Sequence, residues 1–127
     1  MSQELEDEVR GLFHDLDRLD FDAIVTRATA DVQTVEELAR RWMRGKGELE
    51  AYFEQMRPAI SNIKSSLSDV QSVTWGDAGV VTCWLEQTYN VEGRTDSISA
   101  PTTFVFRREG EQWRVALMHS VPMTEES

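Results

Sequence analysis

The sequence is poor in cysteine, proline and histidine, and it lacks a long apolar run. Its 127 residues include one Cys, three Pro and two His. The single thiol, Cys83, can form neither an internal disulfide nor a cysteine-rich zinc site. Its apolar and aromatic neighbours predict a small buried side chain in a strand. His14 and His119 are isolated, without the spacing of metal ligands. We therefore expect no metal and no cofactor.

Two further absences concern membranes and secretion. No stretch approaches the roughly 18 apolar residues that cross a bilayer. The N-terminus is acidic and has no apolar segment, so it does not resemble a secretory signal. We therefore expect no membrane contact, and a cytoplasmic location is the simplest inference.

Positive charge is also scarce, because 13 Lys and Arg stand against 23 Asp and Glu, for a net charge of −10. Such a chain repels a phosphate backbone, so nucleic-acid binding is not expected. The local exception is a cluster of Arg40, Arg41, Arg44 and Lys46. It is either a rim that steers anions or a solvated strand end, which is the commoner meaning of a charge run.

The first half of the chain has helical periodicity. A first helix is indicated by apolar residues at helical spacing, namely Leu5, Val9, Leu12, Phe13, Leu16 and Leu19. Asp20 is a suitable N-cap for a short second helix. A third helix is predicted after Gly47, ending near Pro58. Between the second and third helices, 32–35 favours a strand, and we also interpret 38–44 as a strand rather than a helical turn.

The second half has the composition of strands and turns. Four strands are predicted, at 61–75, 80–91, 95–108 and 113–121, with turns at the glycines between them. Pro101 interrupts the third of these, which indicates an edge strand or a bulge. Helices followed by an antiparallel meander predict an α+β fold with helices on one face of a curved sheet. We expect one domain over 1–127 with a disordered polar tail at 124–127.

Both faces of the predicted sheet are apolar. Side chains alternate between the two faces of a strand. In the third predicted strand of this half, one face carries Thr102, Phe104 and Phe106 and the other carries Thr103 and Val105. In the last strand, one face carries Trp113, Val115 and Leu117 and the other carries Ala116 and Met118. One layer of helices covers only one face, so a second copy of the chain is the simplest cover for the other. This predicts a homodimer through the outer face of the sheet.

The order of these motifs resembles the nuclear transport factor 2-like and SnoaL-like superfamily. The resemblance is carried by Leu16-x-x-Leu19-Asp20-Phe21-Asp22-Ala23-Ile24, by Ala30-Asp31-Val32, by Trp42 with Gly45 and Gly47 before Tyr52-Phe53, and by the final hairpin from Thr103 to Ser120. It covers nearly the whole chain. It implies a sheet curved around a helix into a cone with a pocket at the open end.

The superfamily includes isomerases, cyclases, epoxide hydrolases, dehydratases and non-catalytic association modules, so function depends on the site. Compared with ketosteroid isomerase, which uses a carboxylate base with a tyrosine and a protonated aspartate, Glu36 or Glu37 matches the base. The tyrosine position falls at Leu12 and the aspartate position at Thr103. Leucine cannot donate a hydrogen bond and threonine is a weaker donor, which argues against steroid isomerisation.

The candidate catalytic residues are Glu36, Glu37 and His119. One of the two carboxylates either points into the cone as a general base or is a solvated turn residue. His119 either lines the pocket mouth or is a structural histidine on the outer face or at a dimer contact. The candidate ligand-binding residues are Trp42, Tyr52, Trp84, Tyr89, Thr103 and Met118, and the aromatic ones are either pocket walls or plain core.

Glu86 and Arg107 are interpreted as a cross-strand surface pair.

Two functions remain for the chain. The first is a pocket protein for a small apolar molecule, extending to a cofactor-free acid–base enzyme of isomerase, cyclase or dehydratase type acting on a carbonyl-bearing ligand. The alternative is a non-catalytic dimerisation module. A cavity of a few hundred Å³ with a half-buried carboxylate or histidine would favour the first, and a cone filled with side chains the second.

Overall fold

Two helices open the chain, α1 (Ser2–Asp17) and α2 (Phe21–Thr26). The apolar stripe of α1 faces inward, and Leu5 and Val9 are completely buried. Asp20 caps α2 as predicted, because its Oδ1 accepts a hydrogen bond from the Ala23 N–H at 3.2 Å. The computed structural model describes residues 2–122, so the predicted tail 124–127 lies outside the described residues.

The two helices are joined by ion pairs around a buried carboxylate. Asp15 is 6% exposed, and its Oδ2 accepts a 2.8 Å hydrogen bond from Arg27 Nε. Arg27 also binds Glu8 at 2.9 Å, and Arg18 binds Asp15 at 3.2 Å. Burial alone would raise the pKa of Asp15, but Arg27 and Arg18 outweigh it and hold that pKa below its ordinary value.

The remaining elements are one helix and six strands. They are β1 (Ala28–Glu36), β2 (Met43–Arg44), α3 (Gly45–Met56), β3 (Ile60–Trp75), β4 (Ala78–Val91), β5 (Arg94–Glu109) and β6 (Gln112–Ser120). They form one sheet in the order β2-β1-β6-β5-β4-β3. Neighbours are antiparallel except β1 and β6, which are parallel. The helices pack on one face, α1 against β3 and β4 and α3 against β1 and β2. The predicted α+β class is confirmed.

The sheet bends around the helices at irregularities in the long outer strand. The pairing of β3 with β4 shifts register after Ser61 and again after Ser68. Asn62 and Asp69 lie at these shifts with φ values of 54° and 50°. Asn and Asp tolerate this left-handed conformation better than most residues, and such bulges increase bending and twist. The concave face is therefore the one that holds the core.

The predicted strand at 38–44 is largely wrong. Only Met43 and Arg44 pair with β1, and residues 37–39 form a turn. The turn is stabilised by Glu36, whose carboxylate accepts hydrogen bonds from the backbone N–H groups of Leu38 and Ala39. A side chain that bonds to the backbone two and three residues ahead competes with strand pairing.

Pro101 lies in neither of its predicted positions, because β5 is a central strand and its pairing with β4 runs without a break. The strand tolerates the proline because β6 ends at Ser120, opposite Thr102. Next to Pro101 there is no β6 residue to receive a backbone hydrogen bond, so the missing N–H is not needed there. The end of one strand therefore explains a proline within another.

The side chains at the end of β6 lie on different faces of the sheet from those that simple alternation predicts. The register between β5 and β6 shifts between the pairs Val105–Leu117 and Phe106–Val115, which leaves Ala116 as an extra residue. The extra residue reverses the alternation, so Met118 faces inward and Leu117 outward.

The predicted pair of Glu86 and Arg107 is wrong as well, because Glu86 lies opposite Ser99 and Arg107 lies opposite Ala78.

Candidate functional site

A cavity lies between the helices and the concave face of the sheet. Its volume is about 110 Å³, and its walls are mostly apolar. The apolar lining includes Leu12, Phe13, Leu16, Ala28, Val32, Met56, Ile63, Leu85, Phe104 and Met118, and the polar lining consists of Thr34, Glu36, Tyr52, Gln87 and Ser120. The space is smaller than expected for a drug-sized ligand, but the cone is not filled.

Glu36 is the carboxylate that lines the cavity, and three donors hold it. Its Oε1 accepts hydrogen bonds from the Ala39 N–H at 2.7 Å and from the Tyr52 hydroxyl at 2.7 Å. Within the described residues its Oε2 accepts one hydrogen bond, from the Leu38 N–H at 3.1 Å. A carboxylate offers about four acceptor positions, so Oε2 retains one for a bound molecule.

Tyr52 connects α3 to this carboxylate across the mouth of the cone. Burial, followed by the neighbouring charge of Glu36 and the hydrogen bond to it, raises the pKa of the Tyr52 phenol far above its ordinary value. The hydroxyl therefore remains protonated and acts as a donor that orients Glu36. The positive charge of Arg41 partly opposes this rise in the pKa of Tyr52.

Thr34 is the unusual polar group of the cavity. It is 6% exposed, and within residues 2–122 its hydroxyl has no hydrogen-bond partner. Ser120, also on the cavity wall, is satisfied by contrast, because its Oγ lies 2.8 Å from Thr102 Oγ1, which in turn reaches the Ala100 carbonyl. Buried hydroxyl groups without partners are rare and call for an explanation. A bound molecule would supply the missing partner.

We expect Thr34→Val to raise the free energy of unfolding by about 1 kcal/mol, because valine has nearly the same shape and removes an unsatisfied buried hydroxyl. The matched variant Thr102→Val should lower it by about 1–2 kcal/mol, because Ser120 loses a partner. Urea denaturation measures both. An equal loss in the two variants would show that Thr34 already has a partner, such as a bound water.

Of the residues predicted for the site, Glu36, Tyr52 and Met118 line the cavity. Tyr89 is buried on the same side of the sheet but is outside the cavity wall. Burial, Asp96 and the two glutamates raise the pKa of its phenol to about 12. It belongs to the core of the cone.

The other predicted site residues lie elsewhere. Thr103 and His119 are paired on the outer face of the sheet, and the Trp42 ring lies 6.1 Å from the imidazole of His119. Trp84 is on the same face, where its Nε1 donates to Ser99 Oγ at 2.6 Å. Glu37 lines a separate surface groove and is paired with Arg40 at 3.0 Å.

Sequence reasoning missed Thr34, Gln87 and Ser120 as cavity residues. The signal for Thr34 was present, because side chains two apart in a strand share a face and Thr34 lies two residues before Glu36. Leu12, which falls at the tyrosine position of ketosteroid isomerase, does line the cavity, but its side chain has no hydrogen-bond donor. Thr103, which falls at the aspartate position of ketosteroid isomerase, is on the outer face of β5, and its neighbour Thr102 is the inward residue, with 2% of its surface exposed.

Residues 2–122 contain neither a metal-binding group of side chains nor a membrane-spanning helix. Over residues 2–122, His, Cys, Asp and Glu do not gather in groups of three or more that could hold a metal ion. In the same part of the chain, no helix combines the length and the apolar character needed to cross a bilayer.

Comparison with known proteins gives matches in family and in fold. A family model described as a SnoaL-like domain matches residues 8–124. A candidate dehydratase of the NTF2-like family from Streptomyces avermitilis superposes with a TM-score of 0.87 at 21% identity, over 98% of this chain and 96% of that one. No match to this chain was found among curated proteins.

Two further solved structures represent different functions on the same fold. A ketosteroid isomerase-like protein from Erwinia carotovora atroseptica has a TM-score of 0.81 at 17% identity, over 97% of this chain and 96% of that one. The CaMKII hub of S. rosetta also has a TM-score of 0.81 at 17% identity, over 96% of each chain. At such identities the likeness concerns the fold alone.

Proposed function

Because the chain belongs to the SnoaL-like domain family, we propose that it binds a small apolar molecule inside the cone, with a polar oxygen directed at Thr34 and Glu36. The observation that carries this proposal is the Thr34 hydroxyl, which is buried at the cavity wall and has no hydrogen-bond partner in the part of the chain that the structure describes. An apolar cavity alone would be an ordinary packing defect, but a buried hydroxyl on its wall that is unsatisfied within residues 2–122 indicates where a polar ligand atom would bind.

Glu36 supports an acid–base role within this proposal. It is the carboxylate on the cavity wall, its position is set by Tyr52 and the turn at 37–39, and Oε2 has a free acceptor position. A general base must lie within hydrogen-bond reach of the proton that it takes. We therefore assign proton transfer on the bound molecule to Glu36. His119 and Glu37 are outside the cavity lining, so we do not assign them this role.

The volume of the cavity limits the size of the ligand. An apolar cavity of roughly 150 Å³ holds benzene, and this one measures about 110 Å³, so a single ring fits only when side chains at the wall move outward. Met56 and Met118 at its wall are flexible side chains that can adapt to a small ring. A four-ring steroid would not fit without large rearrangement of the core, which agrees with the lack of donors at Leu12.

We expect one-ring apolar probes such as toluene to bind the wild-type protein and to perturb the NMR signals of cavity methyl groups. Ala28→Leu should abolish binding, because Ala28 lines the cavity and three added carbons would occupy it. Ala30→Leu on the same strand is the control, because Ala30 is exposed and lies outside the wall. Equal binding by both variants, or no binding by wild type, would contradict the proposal.

A second function, self-association, is favoured by the outer face of the sheet. Here two groups of apolar residues lie on either side of the Thr82–Thr103 pair, namely Val80, Val105 and Leu117 in one and Trp84 and Pro101 in the other, and we call the two together the outer patch. They are cross-strand neighbours through the pairs Val80–Val105, Trp84–Pro101 and Val105–Leu117. All helices that pack on the sheet cover its other face. A self-complementary patch is what a two-fold dimer requires, and the similarity in fold to a hub domain is consistent with it.

For self-association, light scattering should give twice the chain mass of 14.5 kDa. Leu117→Lys should return the mass to that of one chain, because a charge on the outer patch would be desolvated in the dimer without a partner. Gln55→Lys, on the exposed side of α3, should leave the dimer intact. A wild-type protein that stays monomeric at high concentration would contradict the dimer without affecting the cavity.

A further inference from the structure

The polar end of the cavity restricts the chemical group that it can accept. Thr34 and Glu36 are two residues apart on β1 and both line the cavity, so their Cα atoms are about 7 Å apart along one face of the strand. Among residues 2–122, the Thr34 hydroxyl lacks a partner, and Glu36 Oε2 has a free acceptor position beside its bond from Leu38. One polar group of a ligand can lie between these two atoms.

The two protein groups require different partners. An ionised carboxylate only accepts hydrogen bonds, whereas a threonine hydroxyl donates one and accepts others. A ligand carbonyl would satisfy Thr34 but would face Glu36 with another acceptor. A ligand hydroxyl satisfies both at once, because its hydrogen points to Glu36 and its oxygen accepts from Thr34. The carbonyl expected from the sequence is therefore the poorer match.

A cationic ligand is the other group that could donate to Glu36, and three features oppose it. The walls are largely apolar, so an ammonium group would lose its hydration without full replacement. Glu36 already shares its charge among three donors. Arg41 is near enough to act electrostatically on Tyr52, which is bonded to the same carboxylate. A neutral donor avoids all three penalties.

We propose that the cavity takes a neutral one-ring alcohol or phenol whose hydroxyl donates to Glu36 and accepts from Thr34. The inference rests on the proposed small-molecule function and names the ligand class for that cavity. The ring fills the apolar space between α1 and the sheet, and Tyr52 is a positioning residue because it acts through Glu36.

The experiment compares phenol, toluene and benzylamine by NMR titration of the 127-residue chain. Phenol and toluene have nearly the same shape, so their difference isolates the hydroxyl. We expect phenol to bind at least tenfold more tightly than toluene, the effect of about one buried hydrogen bond. Thr34→Val should remove most of this preference while keeping toluene binding. Thr103→Val, a matched change on the outer face, should leave the preference unchanged.

Each outcome separates this inference from the function on which it rests. Equal binding of phenol and toluene would overturn the hydroxyl class and leave the apolar cavity site in place. Tighter binding of benzylamine than of phenol would overturn it in favour of a cation. Binding of none of the three would overturn the proposed function itself. A phenol preference that survives Thr34→Val would remove Thr34 from the site and overturn the bridging arrangement.

Discussion

Replacing Phe104 with alanine is expected to lower the free energy of unfolding by about 3–5 kcal/mol, the usual loss for a buried phenylalanine. Phe104 is completely buried, and its ring meets Phe13 edge-on at 5.8 Å between centroids and lies 6.2 Å from the ring of Phe106. Surrounding side chains relax only partly around such a deletion, so most of the vacated space remains. Urea denaturation measures the loss.

The same substitution should change what the protein binds. Phe104 lines the cavity, so its removal joins new space to the existing volume, and we expect Phe104→Ala to bind naphthalene where the wild type does not. Phe106→Ala is the matched control, because Phe106 is as buried but is not on the cavity wall. It should lose similar stability without gaining naphthalene binding.

A result in which neither variant binds the larger ring would contradict the position of the cavity. If Phe104→Ala does not fold, Phe104→Leu, with an expected loss of about 1–2 kcal/mol, keeps the test available. It creates a smaller space, for which a substituted single ring such as xylene is the suitable probe.

Replacing Arg27 with methionine is expected to lower the free energy of unfolding by about 2–3 kcal/mol at pH 7. Removal of one partner of a buried ion pair costs about 3–5 kcal/mol, and we take a lower figure because the Arg27 side chain is 27% exposed. The change leaves the Asp15 carboxylate buried, with Arg18 as its remaining side-chain partner among the described residues. Arg57→Met, at an ion pair whose partner Asp22 is 91% exposed, should cost less than about 0.5 kcal/mol.

The pH dependence of the Arg27 variant has a definite sign. Arg27 and Arg18 hold the folded-state pKa of Asp15 below its unfolded value of about 3.9. This stabilisation is present above that unfolded value and is lost as the pH falls through the folded-state pKa. In Arg27→Met the difference from wild type should therefore be largest near neutrality and shrink below about pH 4. A difference that does not change with pH would assign the loss to packing of the Arg27 side chain.

Part of the candidate site was accessible from the sequence. Glu36 was one of two adjacent carboxylates in the segment that follows a predicted strand, and only the turn at 37–39 separates their roles. There Glu36 folds back on the backbone N–H groups of Leu38 and Ala39 and faces the cavity, while Glu37 pairs with Arg40 at the surface. Its contact with Tyr52, 16 residues away, depends on how α3 packs against β1. Sequence spacing contains no information on such packing.

What the sequence determines by itself is local and periodic. The helical stripe of α1, the cap at Asp20, the glycine turns and the alternation within β5 follow from side-chain spacing and backbone preference. They are sufficient for the α+β class and for the helices-then-strands order. The apolar character of both sheet faces is likewise a property of alternation, and it holds for β5 in the structure.

Tertiary structure alone decided the rest, because it depends on pairing between distant segments. The parallel pairing of β1 with β6 brings Thr34 beside Met118 and Glu36 beside Ser120. The extra residue at Ala116 reverses the facing of Leu117 and Met118, which moves His119 to the outer face and Met118 to the cavity. Whether a strand accommodates an extra residue depends on its neighbour's register. The free space near Thr34 likewise exists only once helices and sheet have packed.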